Sequence, residues 1–190
     1  MQKISEYRGS FLNHLEGAYR PGDRDLAVEL AAALGLDVEE IRFTATSNPI
    51  VAVHPNAADR DPTNNVIFLF EMPEVTRKVV EVLDRKVAED PELREVLQEF
   101  RDAVRERPPI SPHFGLRYGT EGELQAVTER LESSLSPALK ERVSVFEAPR
   151  YKPIDGLPDI SQVFVRTDVF SIGTLGLEQA IELQAIRAGP

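Results

Sequence analysis

Two stretches of the sequence, His14-Leu-Glu-Gly-Ala-Tyr-Arg20 and His113-Phe-Gly-Leu-Arg-Tyr-Gly119, give the strongest indication of the fold. Each opens with a histidine on a segment typical of a strand, then passes through turn residues into a segment with helical spacing. Leu26 and Leu124 follow these histidines at nearly equal distances. Repetition of a whole supersecondary unit indicates internal duplication, so the sequence predicts two equivalent halves.

The first half has the pattern β-α-β-β-β. A first strand over residues 10–19 is followed by the turn and helix-start signal Pro21-Gly22-Asp23. The helix ends near Leu34, where Gly35 suits a left-handed C-cap. Three more strands are predicted between turn signals, at 40–46, Ile50–His54 and 65–71.

The second half repeats this order and is separated from the first by an insertion. We predict a strand at 112–118, a helix at 121–131, and strands at 142–146, 161–167 and Gln179–Ile186. The chain is therefore divided into a first module (1–72), an inserted segment (73–109) and a second module (110–190). The predicted fold class is α+β.

The insertion is predicted to form a hairpin of two amphipathic helices. Asp90 suits the N-cap of the second helix, Pro91 suits its first position, and Pro108-Pro109 ends it. Both helices carry an apolar stripe, which comprises Val75, Val79, Leu83 and Val87 in the first and Leu93, Val96, Leu97, Phe100 and Val104 in the second. We expect these stripes to be buried within the chain; a dimer contact or a lid is the alternative.

Composition excludes several classes of function. The net charge of −10 and pI near 4.9, without a segregated basic patch, argue against nucleic acid as a partner. No apolar run approaches the roughly 20 residues of a membrane helix, and no secretory signal is visible, so we expect a cytoplasmic protein without a membrane partner. Since cysteine is absent, any metal must be bound by histidine and carboxylate.

Three segments of the second half carry a resemblance to a known superfamily. HFGLRYGT at 113–120, QVFVRTDV at 162–169 and AIELQAI at 180–186, with the helix between the first two, resemble a module of the vicinal oxygen chelate superfamily, which includes glyoxalases, bleomycin-resistance proteins and extradiol dioxygenases. The first half resembles a weaker copy. The resemblance implies paired βαβββ modules whose curved mixed sheets enclose a cup.

The resemblance also implies a metal site. Position by position, it assigns His14, His113 and Glu182 as ligands of a divalent ion, for which Fe, Mn or Zn would be suitable. Such a site leaves open positions for a small oxygen-chelating or aromatic substrate, as in a dioxygenase, lyase or isomerase. In the first half, Phe68 occupies the position that corresponds to Glu182, so a fourth metal ligand is absent there. Glu71 and Glu16 are further candidate ligands.

Other side chains are candidates by position. Alternation places Arg117 on the strand face of His113 and Gln184 on that of Glu182, and Tyr151 lies in a long proline-rich loop that could reach the site. His54 is interpreted as structural. The insertion and the long segment 167–179 depart from the family pattern, so the substrate cannot be transferred. Metal-free small-molecule binding, an interaction role for the inserted helices, and a homodimer remain alternatives.

Overall fold

The computed structural model describes residues 13–42, 44–45, 48–60, 64–107, 112–148, 159–172 and 179–186. Within these ranges the chain forms a mixed α+β fold with two mixed sheets and five helices. None of the described helices combines the length and the apolar character needed to cross a membrane.

The first sheet contains the strands of the N-terminal half and one short strand from the C-terminal half. Its strands are β1 (His14–Tyr19), β2 (Asp37–Ile41), β3 (Ile50–His54), β4 (Val66–Glu71) and β8 (Phe170–Ser171). They lie in the order β2-β3-β4-β1-β8. β1 is parallel to β4, whereas all other neighbours are antiparallel.

The second sheet lies entirely in the C-terminal half. Its strands are β5 (His113–Tyr118), β6 (Val143–Glu147), β7 (Ile160–Thr167) and β9 (Gln179–Ile186). They lie in the order β5-β9-β7-β6, with β5 parallel to β9 and the other pairs antiparallel. The two halves therefore share one strand arrangement. Strands β1, β4, β3 and β2 of the first half correspond in order and direction to β5, β9, β7 and β6 of the second.

The helices of the two halves complete a shared core. They are α1 (Arg24–Ala33), α4 (Glu121–Ser133) and the short α5 (Pro137–Lys140). Thr120 caps α4 by accepting a hydrogen bond from the backbone N–H of Glu123, and Gly35 ends α1 with a φ of 78°. One apolar cluster joins both sheets through residues such as Leu30, Leu131 and Ile181. Burial of each such side chain contributes roughly 1.5–3 kcal/mol.

The predicted elements are largely confirmed, with corrections at β2 and in two short elements. β2 begins at Asp37 and ends at Ile41, so the predicted range 40–46 was wrong. The charged residues of β2 conceal the strand in the sequence. Glu40 follows Glu39 directly and breaks the alternation, and the carboxylates of Glu40 and Asp37 form ion pairs with Arg24 and Arg60. The elements α5 and β8 were not predicted, and residues 10–12 of the predicted first strand lie outside the described ranges.

The inserted hairpin forms as predicted, but the prediction that its apolar stripes are buried within the chain was wrong. It comprises α2 (Glu74–Glu89) and α3 (Pro91–Glu106), and Asp90 caps α3 by accepting from the N–H of Leu93. Of its apolar residues, only Val80 and Val104 are buried, whereas most of both stripes is exposed. The described contacts to the sheets lie near residues 80–84 of α2 and 101–105 of α3, so little of either stripe is covered.

One hydrogen bond between the halves gives a first testable prediction. The Tyr118 hydroxyl on β5 donates to the carbonyl oxygen of Leu34 at 2.8 Å. Burial raises the pKa of Tyr118, so the protonated donor is the form that the fold stabilises. Tyr118→Phe is expected to lower the free energy of unfolding by about 1–2 kcal/mol in denaturant titrations, because a partly buried carbonyl loses its partner.

A matched control and a pH series sharpen this test. Tyr19→Phe removes a hydroxyl from the equivalent and buried end of β1, and it should lower the free energy of unfolding by less than Tyr118→Phe does. Because the folded-state pKa of Tyr118 is raised, its contribution is fully present below the unfolded pKa of about 10 and is lost as pH rises above it. Equal effects of both variants would contradict the assigned role.

Candidate functional site

The candidate site lies on the face of the second sheet that points away from the shared core. Side chains two residues apart on a strand share a face, and so do cross-strand neighbours. The strand register places His113, Ala180 and Arg166 in one row of this face. The next row contains Gly115, Glu182 and Phe164, and the third contains Arg117, Gln184 and Gln162. Polar side chains are thus concentrated on one face.

His113 and Glu182 form the centre of the site. Nε2 of His113 lies 3.2 Å from Oε2 of Glu182, although the residues are 69 positions apart in sequence. Their side chains are 24% and 12% exposed, so the pair is largely shielded but can still be reached from solvent. The geometry suits a charge-assisted hydrogen bond, and it also suits two donors directed at one bound ion.

Two glutamine side chains orient the carboxylate. Gln162 on β7 and Gln184 on β9 both donate their Nε2 protons to Oε1 of Glu182, the latter at 3.4 Å. The two oxygens of Glu182 are thereby distinguished, since one faces the amides and the other faces His113. Phe164, which is fully buried, packs its ring nearly edge-on against His113 at a centroid distance of 5.5 Å. These contacts fix both members of the pair.

The first sheet has an equivalent position with different chemistry. His14 opens β1 as His113 opens β5, and Phe68 occupies the register position of Glu182. His14 packs against Phe68 at a ring distance of 5.7 Å and lies 4.0 Å from Glu16. Both His14 and Glu16 are substantially exposed. Phe68 therefore lies at the position equivalent to Glu182, as the alignment of the two halves predicted.

The three predicted metal ligands are brought together only in part. The structure pairs His113 with Glu182, whereas the contacts recorded for His14 are to its own sheet. Over the described ranges, no group of three or more His, Asp or Glu side chains has the arrangement of a metal site. Binding of a metal by His14, His113 and Glu182 together stays a prediction.

The other predicted site residues have different outcomes. Arg117 is exposed on the His113 face, and Gln184 contacts Glu182 directly. Tyr151 lies outside the described residues. Glu71 pairs with Tyr19 at the opposite end of β1 from His14. His54 is fully buried at the end of β3, where its Nε2 lies 3.1 Å from Oε1 of Glu39, which agrees with a structural histidine.

Sequence reasoning missed Gln162, Phe164 and Arg166. All three lie on β7, which was predicted as a strand, and alternation alone would have placed them on one face. The missing information was the register of β7 against β9, which sets Gln162 and Phe164 beside Glu182. A separate surface cleft of about 250 Å³ lies between the end of β1 and α2, lined by Arg20, Met72 and Val80 among others, and contains none of the predicted site residues.

Comparisons with known proteins found no match. No protein-family model, curated protein or solved structure matches the chain.

Proposed function

We propose that this chain is a vicinal-oxygen-chelate-like protein that binds a small oxygen-rich molecule at the His113–Glu182 pair, with a divalent metal ion as the bridge. The shared strand order of the two halves supports this proposal, as does the histidine that opens the first strand of each. In the proposed architecture the two modules pair so that their sheets enclose a cup, with the polar face of the second sheet on the inside.

The observation that carries the proposal is the chemistry of the His113–Glu182 pair. Donors that bind one ion at about 2.0–2.2 Å lie roughly 3 Å apart, and Nε2 of His113 lies 3.2 Å from Oε2 of Glu182. The amides of Gln162 and Gln184 hold the second carboxylate oxygen, as outer-shell partners do for metal ligands. We propose His14 as the third ligand, with Arg117 and Tyr151 at the mouth of the site.

A metal held by few protein ligands would supply Lewis-acid polarisation of substrate oxygens. The protein's own contribution is to orient and shield. Glu182 keeps His113 in one ring orientation, Phe164 restricts its rotation, and the exposed side of the pair leaves room for the small molecule. An enzyme of the dioxygenase, lyase or isomerase type is the activity we propose on this basis.

A metal-free binding protein is the second candidate, and one observation favours it. Glu182 already accepts hydrogen bonds from Gln162 and Gln184 and lies beside His113, so its carboxylate is satisfied by protein groups alone. In this alternative, the same face recognises a small molecule by hydrogen bonds and by aromatic packing. The two candidates differ in whether purified protein retains a stoichiometric ion.

Metal binding by defined variants tests the proposal. Chelator-treated protein should bind about one equivalent of Mn²⁺ or Zn²⁺ in calorimetric titration, and metal analysis after dialysis should agree. His113→Ala should weaken binding at least 100-fold, because one of few ligands is removed without replacement. Glu182→Gln should do the same, since a neutral amide is a poor ligand for these ions.

The controls separate ligand loss from general damage. Glu99→Gln removes an exposed carboxylate from α3 and should bind metal as the wild type does. His14→Ala tests the third ligand and should weaken binding if the cup closes as proposed. Circular dichroism must show that each variant is folded. Wild-type protein that binds none of Mn²⁺, Zn²⁺ and Fe²⁺ stoichiometrically, the last titrated without oxygen, would exclude the metal-dependent proposal in favour of the metal-free one.

A further inference from the structure

All the large apolar side chains that are exposed in the described part of the chain lie on the inserted hairpin. On α2, Val75, Val79 and Val82 are exposed to 72%, 44% and 45%, and on α3 Val96 is exposed to 54%. Single exposed apolar residues are normal on a protein surface, but their concentration on one element marks an interaction surface. We call these four residues the outer valines.

The outer valines lie outside the stripe by which each helix is held to the rest of the chain. Val80 of α2 and Val104 of α3 are buried and mark the inner sides of the two helices. Successive residues are about 100° apart around a helix, so Val79 and Val82 lie about 100° and about 160° from Val80. In the same way, Val96 lies about 80° from Val104. The fold of one chain therefore leaves an apolar stripe on each helix without cover.

The charged residues beside the outer valines differ in sign between the two helices. Residues three or four positions apart are neighbours on a helix surface. At these distances Val96 of α3 has two acidic neighbours, Glu92 and Glu99. The charged neighbours of Val82 on α2 are all basic, namely Lys78, Arg85 and Lys86. Each apolar stripe is thus bordered by one sign of charge, basic on α2 and acidic on α3.

The charges that decide this contrast are not used within one chain. Over the described ranges, the side chains of Arg85 and Glu99 have no ion-pair partner. A basic residue of α3 lies on another side of the helix: the guanidinium of Arg105 is 5.8 Å from the centre of the Phe146 ring of the second sheet. The acidic border of α3 therefore faces away from the sheet and is available to a basic partner surface.

We propose that the outer valines are covered by a second copy of this chain, with α2 of each subunit packed on α3 of the other. A two-fold axis makes such an interface self-complementary, so the contact between α2 and α3 occurs twice. This pairing sets the basic border of α2 against the acidic border of α3. The opposite choice, α2 on α2 and α3 on α3, brings like charges together, which is unfavourable. The inference is independent of the metal site, whose residues lie outside the hairpin.

The area of the four helix faces suits a specific dimer. α2 and α3 have 16 residues each. Each helix is therefore about 24 Å long, and a strip about 10 Å wide on all four helices amounts to about 1,000 Å². This is about the area that a specific interface requires, before the bordering charged side chains are added.

The opposing explanation is that a different protein, or another segment of the same chain, covers the outer valines. Either would leave the purified chain monomeric at every concentration. A self-complementary interface instead gives a dimer that dissociates on dilution. The two explanations are therefore separated by the mass of the full-length chain in solution.

Analytical ultracentrifugation of the full chain over a dilution series tests the proposal. The wild type should have twice the 21.2 kDa mass of one chain at high concentration and should approach that mass on dilution. Val96→Lys should weaken dimerisation by about 100-fold or more, because the new charge is taken out of water beside the basic border of the partner's α2. Since Val96 is exposed in one chain, circular dichroism should show an unchanged fold.

Charge reversal tests which helices meet. Glu99→Lys should weaken dimerisation about 10-fold, and so should Arg85→Glu, because attractive contacts on both sides of the two-fold axis become repulsive. The variant with both changes should recover most of the lost affinity, since opposite charges face each other again. Glu132→Lys makes the same charge change at an exposed position of α4 and should have no effect.

Three results would each overturn the inference. The first is a wild-type mass that stays at that of one chain up to millimolar concentration. The second is a dimer that Val96→Lys does not weaken, which would place the interface elsewhere. The third is a double variant that recovers no affinity, which would show that α2 does not meet α3 of the partner subunit.

Discussion

Phe164→Ala is expected to lower the free energy of unfolding by about 3–5 kcal/mol, the largest effect we predict for a single substitution. Phe164 is fully buried at the centre of β7, between Glu182 of β9 and Phe146 of β6 in the sheet register. Truncation leaves a cavity that the flanking strands cannot fill without losing their hydrogen bonds. The variant also removes the ring that packs against His113, so site geometry and stability should be lost together.

Phe100→Ala is the matched control for this prediction. Phe100 lies on α3 with 45% of its surface exposed, so the same truncation should cost less than about 1 kcal/mol. Urea titrations followed by circular dichroism give both values at one protein concentration. If Phe164→Ala cost no more than Phe100→Ala, the core position assigned to Phe164 would be wrong.

Arg142→Met is expected to lower the free energy of unfolding by about 2–3 kcal/mol. Arg142 precedes β6 and forms ion pairs with Asp23 at 2.9 Å and with Asp168 at 2.8 Å, which joins the start of α1 to the turn after β7. It also donates to the carbonyl oxygen of Asp168 at 3.2 Å. The hydrogen bond to Asp23 is the main cause of its raised pKa. Methionine keeps most of the volume but leaves two carboxylates without this partner.

Solvent screening sets the upper bound of this effect, because the three side chains are partly exposed. Lys140→Met removes the same charge from an exposed residue at the end of α5 and should change stability by less than about 0.5 kcal/mol. The difference between the variants should shrink in 1 M sodium chloride, where surface pairs are screened. Equal thermal stability of both variants would show that the Arg142 pairs contribute nothing.

The fold was predictable where its signals are local. The bounds of β9 were predicted without error from alternation, and the cap at Asp90 with Pro91 located the start of α3. β2 was misplaced because its charged residues, Asp37, Glu39 and Glu40, conceal an edge strand. β8 could not be predicted, since two residues form a strand only because β1 lies beside them. Pairing with a distant segment leaves no mark on local sequence.

The central residues of the candidate site could be predicted from the sequence, but the residues that surround them could not. Resemblance selected His113 and Glu182, which the structure brings to 3.2 Å, and the alternation of β9 selected Gln184. Gln162 and Arg166 required the register of two strands that no local pattern specifies. An apolar stripe shows that one face of a helix is apolar, but it does not show which element covers that face. The exposure of Phe100 could therefore not be predicted from the sequence.

The pairing of β8 with β1 has a consequence for the order in which the chain is made. β1 lies next to β4 on one side, and on its other side Ala18 and Tyr19 pair with Ser171 and Phe170. Gly17 permits this approach, since a Cβ there would lie 3.1 Å from the carbonyl oxygen of Ser171. During synthesis on the ribosome, strands β1 to β4 of the first sheet emerge long before residues 170–171, which complete it. Its unprotected edge is then open to other nascent chains, so fragments that end before β8 should aggregate.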